Sequence, residues 1–365
     1  MGSESVHCIV TSPPYFGLRD YKVEPQVWSN HNGCKHEWQG VTTSAANGQA
    51  TQPMHGATLN PKSASRSPRY SSFCRKCHAW HGHLGLEPTP ELYIEHLAAV
   101  FREAKRVLRQ DGTLWLNLGD TYWGSTGQAG HFNKTLEKNR SLGKTLQRRE
   151  TLMDTDWVPQ TGSHPVLKPK DLCGIPWRVA LALQADGWYL RSDIIWAKPN
   201  PMPESVRDRP TRAHEYVFLL TKDRNYFYDA KAISEPLQSI RRAFSKNNLA
   251  ARKFNGREIW KGINVEAQDR YFKKVRRGVV NSRNKRSVWT IATQPYHGQH
   301  FAVFPEKLVE PCVKAGCPDQ GIVLDPFCGS GRTGVVATRL GRRFIGIELN
   351  PEYCKLAEKH IAEKG

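Results

Sequence analysis

Two short segments at opposite ends of this 365-residue chain carry residue types that could do chemistry together. Near the N-terminus, Thr11-Ser12-Pro13-Pro14-Tyr15 follows a brief apolar run, Val6-His7-Cys8-Ile9-Val10. A Pro-Pro pair fixes φ twice and removes two N–H donors, so what remains are carbonyls held rigidly after a strand. With the Ser12 hydroxyl, such a carbonyl can accept both N–H bonds of an exocyclic amino group. That nitrogen is a poor nucleophile, because its lone pair is delocalised into the ring. Accepting its hydrogens favours a tetrahedral nitrogen and frees the lone pair for attack on a methyl sulfonium. Tyr15 can stack on a base taken out of its helix.

Near the other end runs Gly321-Ile322-Val323-Leu324-Asp325-Pro326-Phe327-Cys328-Gly329-Ser330-Gly331-Arg332-Thr333-Gly334, and a second apolar run closes on Glu348. Strand, Gly-rich turn, helix, strand and acid are the parts with which an α/β domain holds a nucleoside cofactor, the acid accepting hydrogen bonds from ribose hydroxyls. The Gly pattern alone is a weak signal. Asp325 adds to it: an acid at that point repels a pyrophosphate and suits a cationic cofactor. S-adenosylmethionine, with its amino group and sulfonium, is such a molecule.

These segments need a scaffold. Apolar spacing predicts a helix over 91–108, ending before Asp111-Gly112, and another over 175–185 with Gly187 behind it. Residues 113–118, 188–196 and 216–220 read as strands. Alternating strands and helices imply a doubly wound, mostly parallel α/β sheet covered on both faces. The expected organisation is core over 1–30, an insert over 31–86, core over 87–225, a basic region over 226–290 and a cofactor-binding part over 291–365. Residues 124–170, polar and basic, read as a long loop.

The formal net charge of +19 calls for a polyanionic partner. The excess is local: residues 231–289 hold sixteen Lys or Arg against four Asp or Glu, interleaved with Phe244, Phe254, Trp260, Tyr271 and Phe272. Phosphates account for the cations, and stacking or packing for the rings. No apolar run reaches membrane-spanning length, and no signal-peptide pattern opens the chain. Nine scattered cysteines suggest reduced thiols and a cytoplasmic setting.

Together the motifs resemble the DNA amino-methyltransferases of the permuted, beta-type order, in which the amine-binding motif precedes the target-recognition region and the cofactor motif. Ser12 to Tyr15 matches the catalytic tetrapeptide, and Asp325-Pro326-Phe327-Cys328-Gly329-Ser330-Gly331 the cofactor motif. His300-Phe301-Ala302-Val303-Phe304-Pro305 resembles the segment at the cofactor's methionine end. Leu116-Asn117-Leu118-Gly119-Asp120 and Asp193-Ile194-Ile195-Trp196-Ala197-Lys198-Pro199-Asn200-Pro201 resemble further core segments. The resemblance implies a Rossmann-like fold and methyl transfer from S-adenosylmethionine to a flipped base in double-stranded DNA. Ser12, Pro13, Pro14 and Tyr15 would hold the base. Phe301, Phe304, Asp325, Phe327, Gly329, Gly331 and Glu348 would hold the cofactor. Ser at the head of the tetrapeptide is linked in this family more often to cytosine N4, and Asp to adenine N6. Transfer is direct, so Cys8 and Cys328 read as packing thiols. The chain departs from the family at Arg332, where a small polar residue is common, and lacks the family's opening strand and Gly-Asp pair before Val6. A homodimer and a restriction endonuclease partner are both compatible with the family.

Cys34-Lys35-His36 and Cys74-Arg75-Lys76-Cys77 bracket the insert. Cys-x-His plus Cys-x-x-Cys offers Cys34, His36, Cys74 and Cys77 to a structural, tetrahedral Zn²⁺, with His78, His81 and His83 as competitors. A segment this polar has little core of its own, and a metal would supply its folding energy. Two other classes of function compete with methyl transfer. A nicotinamide-dependent oxidoreductase leaves Ser12 to Tyr15 and the basic segment without roles. A non-catalytic DNA-binding protein would not bind S-adenosylmethionine.

Overall fold

The computed structural model describes residues 1–18, 21, 23–29, 33–38, 72–124, 164–236, 253–254, 257–258, 282–294 and 304–365. Strands β1 (Val6–Thr11), β2 (Gln26–Trp28), β3 (Ser72–Phe73) and β4 (Trp80–Gly82) lead to helix α1 (Pro90–Val107) and strand β5 (Leu108–Leu118). Helix α2 (Ile175–Ala185) and strands β6 (Tyr189–Ala197) and β7 (His214–Thr221) follow. Short strands β8 (Glu235–Pro236), β9 (Lys253–Phe254), β10 (Arg257–Glu258) and β11 (Ser282–Arg283) precede β12 (Val288–Thr290). The chain closes with α3 (Glu306–Gly316), β13 (Ile322–Asp325), α4 (Arg332–Arg339), β14 (Arg343–Gly346) and α5 (Pro351–Lys364).

Seven strands form one sheet in the order β12-β6-β7-β5-β1-β13-β14. All neighbours run parallel except β7, which is antiparallel to both β5 and β6. The expected mostly parallel α/β sheet is therefore present. Its two faces follow from side-chain alternation along each strand. Ile9, Leu114, Leu116, Phe218 and Leu220 pack with the apolar faces of α1 and α2 on one side. Cys8, Val10, Trp115, Val217 and Leu219 pack with α3, α4 and Trp289 on the other.

Local chemistry sets the helix ends. Thr89 caps α1 by accepting from Leu92 N at 3.3 Å, with Pro90 in the first turn, Glu91 near the start and Lys105 and Arg106 near the end. Asn350 caps α5 by accepting from Glu352 N at 2.9 Å.

The largest departure from the expected boundaries lies where α1 meets β5. The helix stops at Val107 because Leu108 is extended and pairs with Val6, so long-range pairing overrides local helical spacing. Asp111 and Gly112 lie within β5 at a register shift against β1, rather than in a turn. The sheet also takes in Val288–Thr290, from the end of the basic segment, parallel to β6. Most of that segment and of the loop expected over 124–170 lies outside the described residues. Among the described residues, no helix is long and apolar enough to cross a membrane.

Candidate active site

Strands β1 and β13 are parallel neighbours, with Ile9 opposite Leu324. Their carboxyl ends therefore emerge side by side, bringing the Pro-Pro turn next to the glycine turn. Thr11 Oγ1 donates to Asp325 Oδ1 at 2.6 Å. Thr333 Oγ1, on the first turn of α4, donates to Oδ2 at 2.7 Å, and Phe327 N to Oδ1 at 3.1 Å. Asp325 is 1 % exposed. Burial pushes its carboxyl up to about 6, against the pull of these three donors.

The glycine turn approaches its surroundings closely. Gly329 and Gly331 adopt positive φ, 50° and 79°. A Cβ on Gly331 would lie 2.8 Å from Ala357 Cβ, so no larger residue fits where α4 meets α5. Glu348 accepts from Gly329 N at 2.8 Å and from Asn350 N at 2.9 Å. It is flanked by Ile347 and Leu349, which are 42 % and 60 % exposed. Phe327 packs on the core beside Leu324. Phe304 packs on the opposite cluster. Phe301 lies outside the described residues. Cys8 is fully buried, and burial holds the Cys328 thiol up at about 12, so both stay neutral as packing thiols do.

The Pro-Pro turn is held from several sides. Tyr93 Oη, on α1, donates to Pro14 O at 2.7 Å. The Tyr15 ring lies on Gly119, where a Cβ would sit 2.5 Å from Tyr15 Cε2. Ser12 Oγ donates to Tyr15 Oη at 3.3 Å, and Tyr15 Oη donates to Glu215 Oε2 at 2.7 Å. Asn117 Nδ2 donates to Glu215 Oε2 at 3.2 Å, and Lys198 pairs with Glu215 Oε1. Burial first, then the Glu215 charge, raises the Tyr15 phenol well above its ordinary value. The hydroxyl therefore keeps its proton at neutral pH.

Tyr15, Lys198, Glu215, Gly119, Arg212 and Leu18 help line a cavity of about 210 Å³. The sequence singles out Ser12 to Tyr15 by motif and carries no sign of Glu215. The antiparallel register of β5 and β7, with Asn117 opposite Val217, is what brings Asn117 and Glu215 together.

Strands β3 and β4 of the insert join β2, which precedes it, in a small separate sheet of order β2-β4-β3. Cys34, His36, Cys74 and Cys77 offer ligand atoms that all lie within 4.8 Å of one another. Cys34 Sγ is 3.9 Å from Cys74 Sγ, and Cys77 Sγ 3.4 Å from His36 Nδ1. Tetrahedral zinc with bonds of about 2.0–2.3 Å spaces its ligand atoms roughly 3.3–3.8 Å apart; the two separations given lie in or near that range, and three thiols with one imidazole are a donor set that ion takes. Of the competing histidines, His83 points Nε2 at Val23 O, 2.7 Å away.

Comparison with known proteins identifies the family. A family model described as DNA methylase matches residues 6–359. The chain is 38% identical over 364 residues to the type II methyltransferase M.SmaI of Serratia marcescens, covering 100% of this chain and 87% of that protein. It is 38% identical over 360 residues to the type II methyltransferase M.XycI of Xanthomonas campestris pv. cyanopsidis, covering 98% and 82%. Among solved structures, PvuII DNA methyltransferase (cytosine-N4-specific) shares the fold at a TM-score of 0.51 and 15% identity, over 99% of this chain and 80% of that one.

Proposed function

The chain belongs to the DNA methylase family, the amino-methyltransferases of cytosine N4 or adenine N6, and from that premise we propose that it methylates cytosine N4 at a specific site in double-stranded DNA, with S-adenosylmethionine as donor. The observation that carries this reading is the Thr11–Asp325 hydrogen bond, which fixes the amine-accepting turn against the glycine turn.

The donor fits this chain's residues. Asp325 is a carboxylate that burial raises to about 6, and its charge suits a cationic ligand at the turn. Gly329 and Gly331 allow close approach, Glu348 offers acceptors to ribose hydroxyls, and the exposed Ile347 and Leu349 offer apolar surface to an adenine. Phe301, Phe304 and Phe327 belong to the same proposed binding set. When bound, S-adenosylmethionine supplies an electrophilic methyl group on its sulfonium.

The rest of the chemistry belongs to the Pro-Pro turn. A duplex base presents its amine inside the stack, so it must swing out to reach Ser12. Ser12 Oγ and a turn carbonyl accept the N–H bonds of the amine, and the Tyr15 ring faces the base. Lys198 supplies a positive charge for the acceptor edge of the ring. A proton leaving the amine has an oriented route. Ser12 takes it while handing its own to Tyr15, and Tyr15 hands its own to the Glu215 carboxylate. Ser12 at the head of the tetrapeptide favours cytosine over adenine.

Residues 226–290 are proposed to grip the duplex, a role that their charge supports. Cys34, His36, Cys74 and Cys77 are proposed to hold one structural zinc. A restriction endonuclease cutting the same site would be its partner. The test is digestion of treated DNA followed by nucleoside mass spectrometry. N4-methylcytosine is expected, and N6-methyladenine would overturn the choice of base.

A further inference from the structure

The Cys/His insert supplies none of the residues proposed to hold the cofactor, and its contacts lead instead to the Pro-Pro turn. The knuckle closes through Cys74 N, which donates to Ala79 O at 2.8 Å, and Lys76 N, which donates to Cys74 Sγ at 3.4 Å. Just after Cys77 the chain enters β4, which pairs with both β2 and β3. Trp80 is 1 % exposed, and its indole folds over Gly82, where a Cβ would meet the ring at 2.3 Å.

From β4 the chain runs directly under the turn. Gly85 O accepts from Gly17 N at 2.7 Å. Gly85 has φ +93, and a Cβ there would lie 3.0 Å from Tyr15 O and 3.2 Å from Pro14 Cβ. Only glycine adopts this conformation without strain and leaves room for the turn. Gly85 N donates to Glu87 Oε2 at 2.7 Å, and Glu87 Oε1 meets His96 Nδ1 at 2.9 Å. Both partners are fully buried. The His96 ring is stacked between Trp28 of β2 at 4.8 Å and Trp80 of β4 at 5.3 Å. The Glu87 contact is made through Nδ1, while the buried Nε2 has no hydrogen-bond partner among the described residues, so losing Glu87 would leave the imidazole without a polar contact. His96 sits on α1, one turn beyond Tyr93, whose hydroxyl holds Pro14 O. The insert and α1 thus clamp Pro14 and Tyr15 from two directions and are locked to each other by Glu87 and His96.

We propose that the metal at Cys34, His36, Cys74 and Cys77 positions the catalytic turn, acting through Gly85, Glu87 and His96 to fix the Pro14 and Tyr15 backbone. This rests on the reading of Ser12 to Tyr15 as the amine-binding turn and of the four ligands as a zinc site. Glu87 and His96 are positioning residues, since neither touches a reacting atom. A turn displaced by about 1 Å costs on the order of 100-fold in rate. The glycine turn, on the far side of β1, keeps its shape.

The experiment compares zinc-loaded, chelator-stripped and zinc-restored full-length protein by metal analysis, single-turnover methyl transfer to DNA and calorimetric affinity for S-adenosylmethionine. One zinc per chain is expected. Stripping should slow transfer about 100-fold, leave cofactor affinity within about twofold, change the Trp28 and Trp80 fluorescence, and reverse on adding zinc. Because stripping can unfold the insert outright, Glu87→Ala and Glu87→Gln are measured with zinc in place. The first should lose rate at unchanged cofactor affinity, and the second should recover most of it. Equal transfer with and without zinc would overturn the positioning role and leave the methyl-transfer reading intact. A protein that binds no zinc, or one whose cofactor affinity falls in step with rate, would overturn the proposal as well.

Discussion

The Thr11 hydroxyl donates to the Asp325 carboxylate at 2.6 Å, joining the residue before the Pro-Pro turn to the residue that opens the glycine turn, 314 positions away in sequence. Parallel pairing of β1 and β13 places the two residues at adjacent strand ends, and the hydrogen bond fixes the spacing between the two turns. An amine held by one turn and a methyl donor held by the other, as proposed, would then be neighbours.

Replacing Thr11 with Val keeps the shape and removes the donor. A hydrogen bond to a charged group contributes about 1.5–3 kcal/mol. Thr11→Val should lower unfolding stability by about that amount in urea titrations, and Thr11→Ser should recover most of it.

Asp325 gives the protein a pH signature. Its folded pKa of about 6 lies above the ordinary carboxylate value, chiefly through burial, with the nearby Glu348 charge adding to it. The ionised group therefore costs stability in full above about 6, and the cost fades as pH falls toward about 4. Holding ionised a carboxyl that titrates near 6 instead of near 4 costs roughly 3 kcal/mol. Asp325→Asn should thus be most stabilising, relative to the parent, at pH 8 and least at pH 4. Affinity for the cationic cofactor should run the other way, falling for the parent between pH 7 and 5 and staying flat for Asp325→Asn, as calorimetry at the two pH values would record.

Tyr15 carries two separable roles. Tyr15→Phe leaves the ring on Gly119 and removes the hydroxyl between Ser12 and Glu215. Single-turnover transfer should drop about 10- to 100-fold, and adding Glu215→Gln should lower it little further, because both act in one chain of hydrogen bonds. Tyr15→Ala should abolish transfer while binding to DNA persists in gel-shift assays.

Gly119 offers a test from the opposite face of the ring. A Cβ at this position would sit 2.5 Å from Tyr15 Cε2, so Gly119→Ala must displace the ring. Steady-state kinetics should show kcat lowered by about 100-fold, with cofactor affinity unchanged, since the added methyl presses on Tyr15 and not on the glycine turn.

Much of this architecture was legible in the sequence because its signals are local. The two turns announce themselves through Pro-Pro, which fixes φ, and through glycines, which are free to take positive φ; α1 does so through its apolar spacing, and the Cys/His cluster through Cys-x-His and Cys-x-x-Cys. What was not legible depends on register. Asn117 and Glu215 meet only because β5 and β7 pair with Asn117 opposite Val217. Leu108 has helical spacing, yet pairing with Val6 draws it into a strand. Gly85 and Glu87 carry no motif, and their role appears only when β4 delivers them beneath Pro14.

The most direct test of the two-turn arrangement is single-turnover transfer of a labelled methyl group from S-adenosylmethionine to DNA by Pro13→Ala, with cofactor affinity measured on the same preparation. Pro13 is buried in the turn and has no part in the glycine turn. The expected result is cofactor affinity within about twofold of the parent and transfer slowed by about 100-fold or more. Near-parental transfer by this variant would contradict the assignment of Ser12 to Tyr15 as the place where the amine is held.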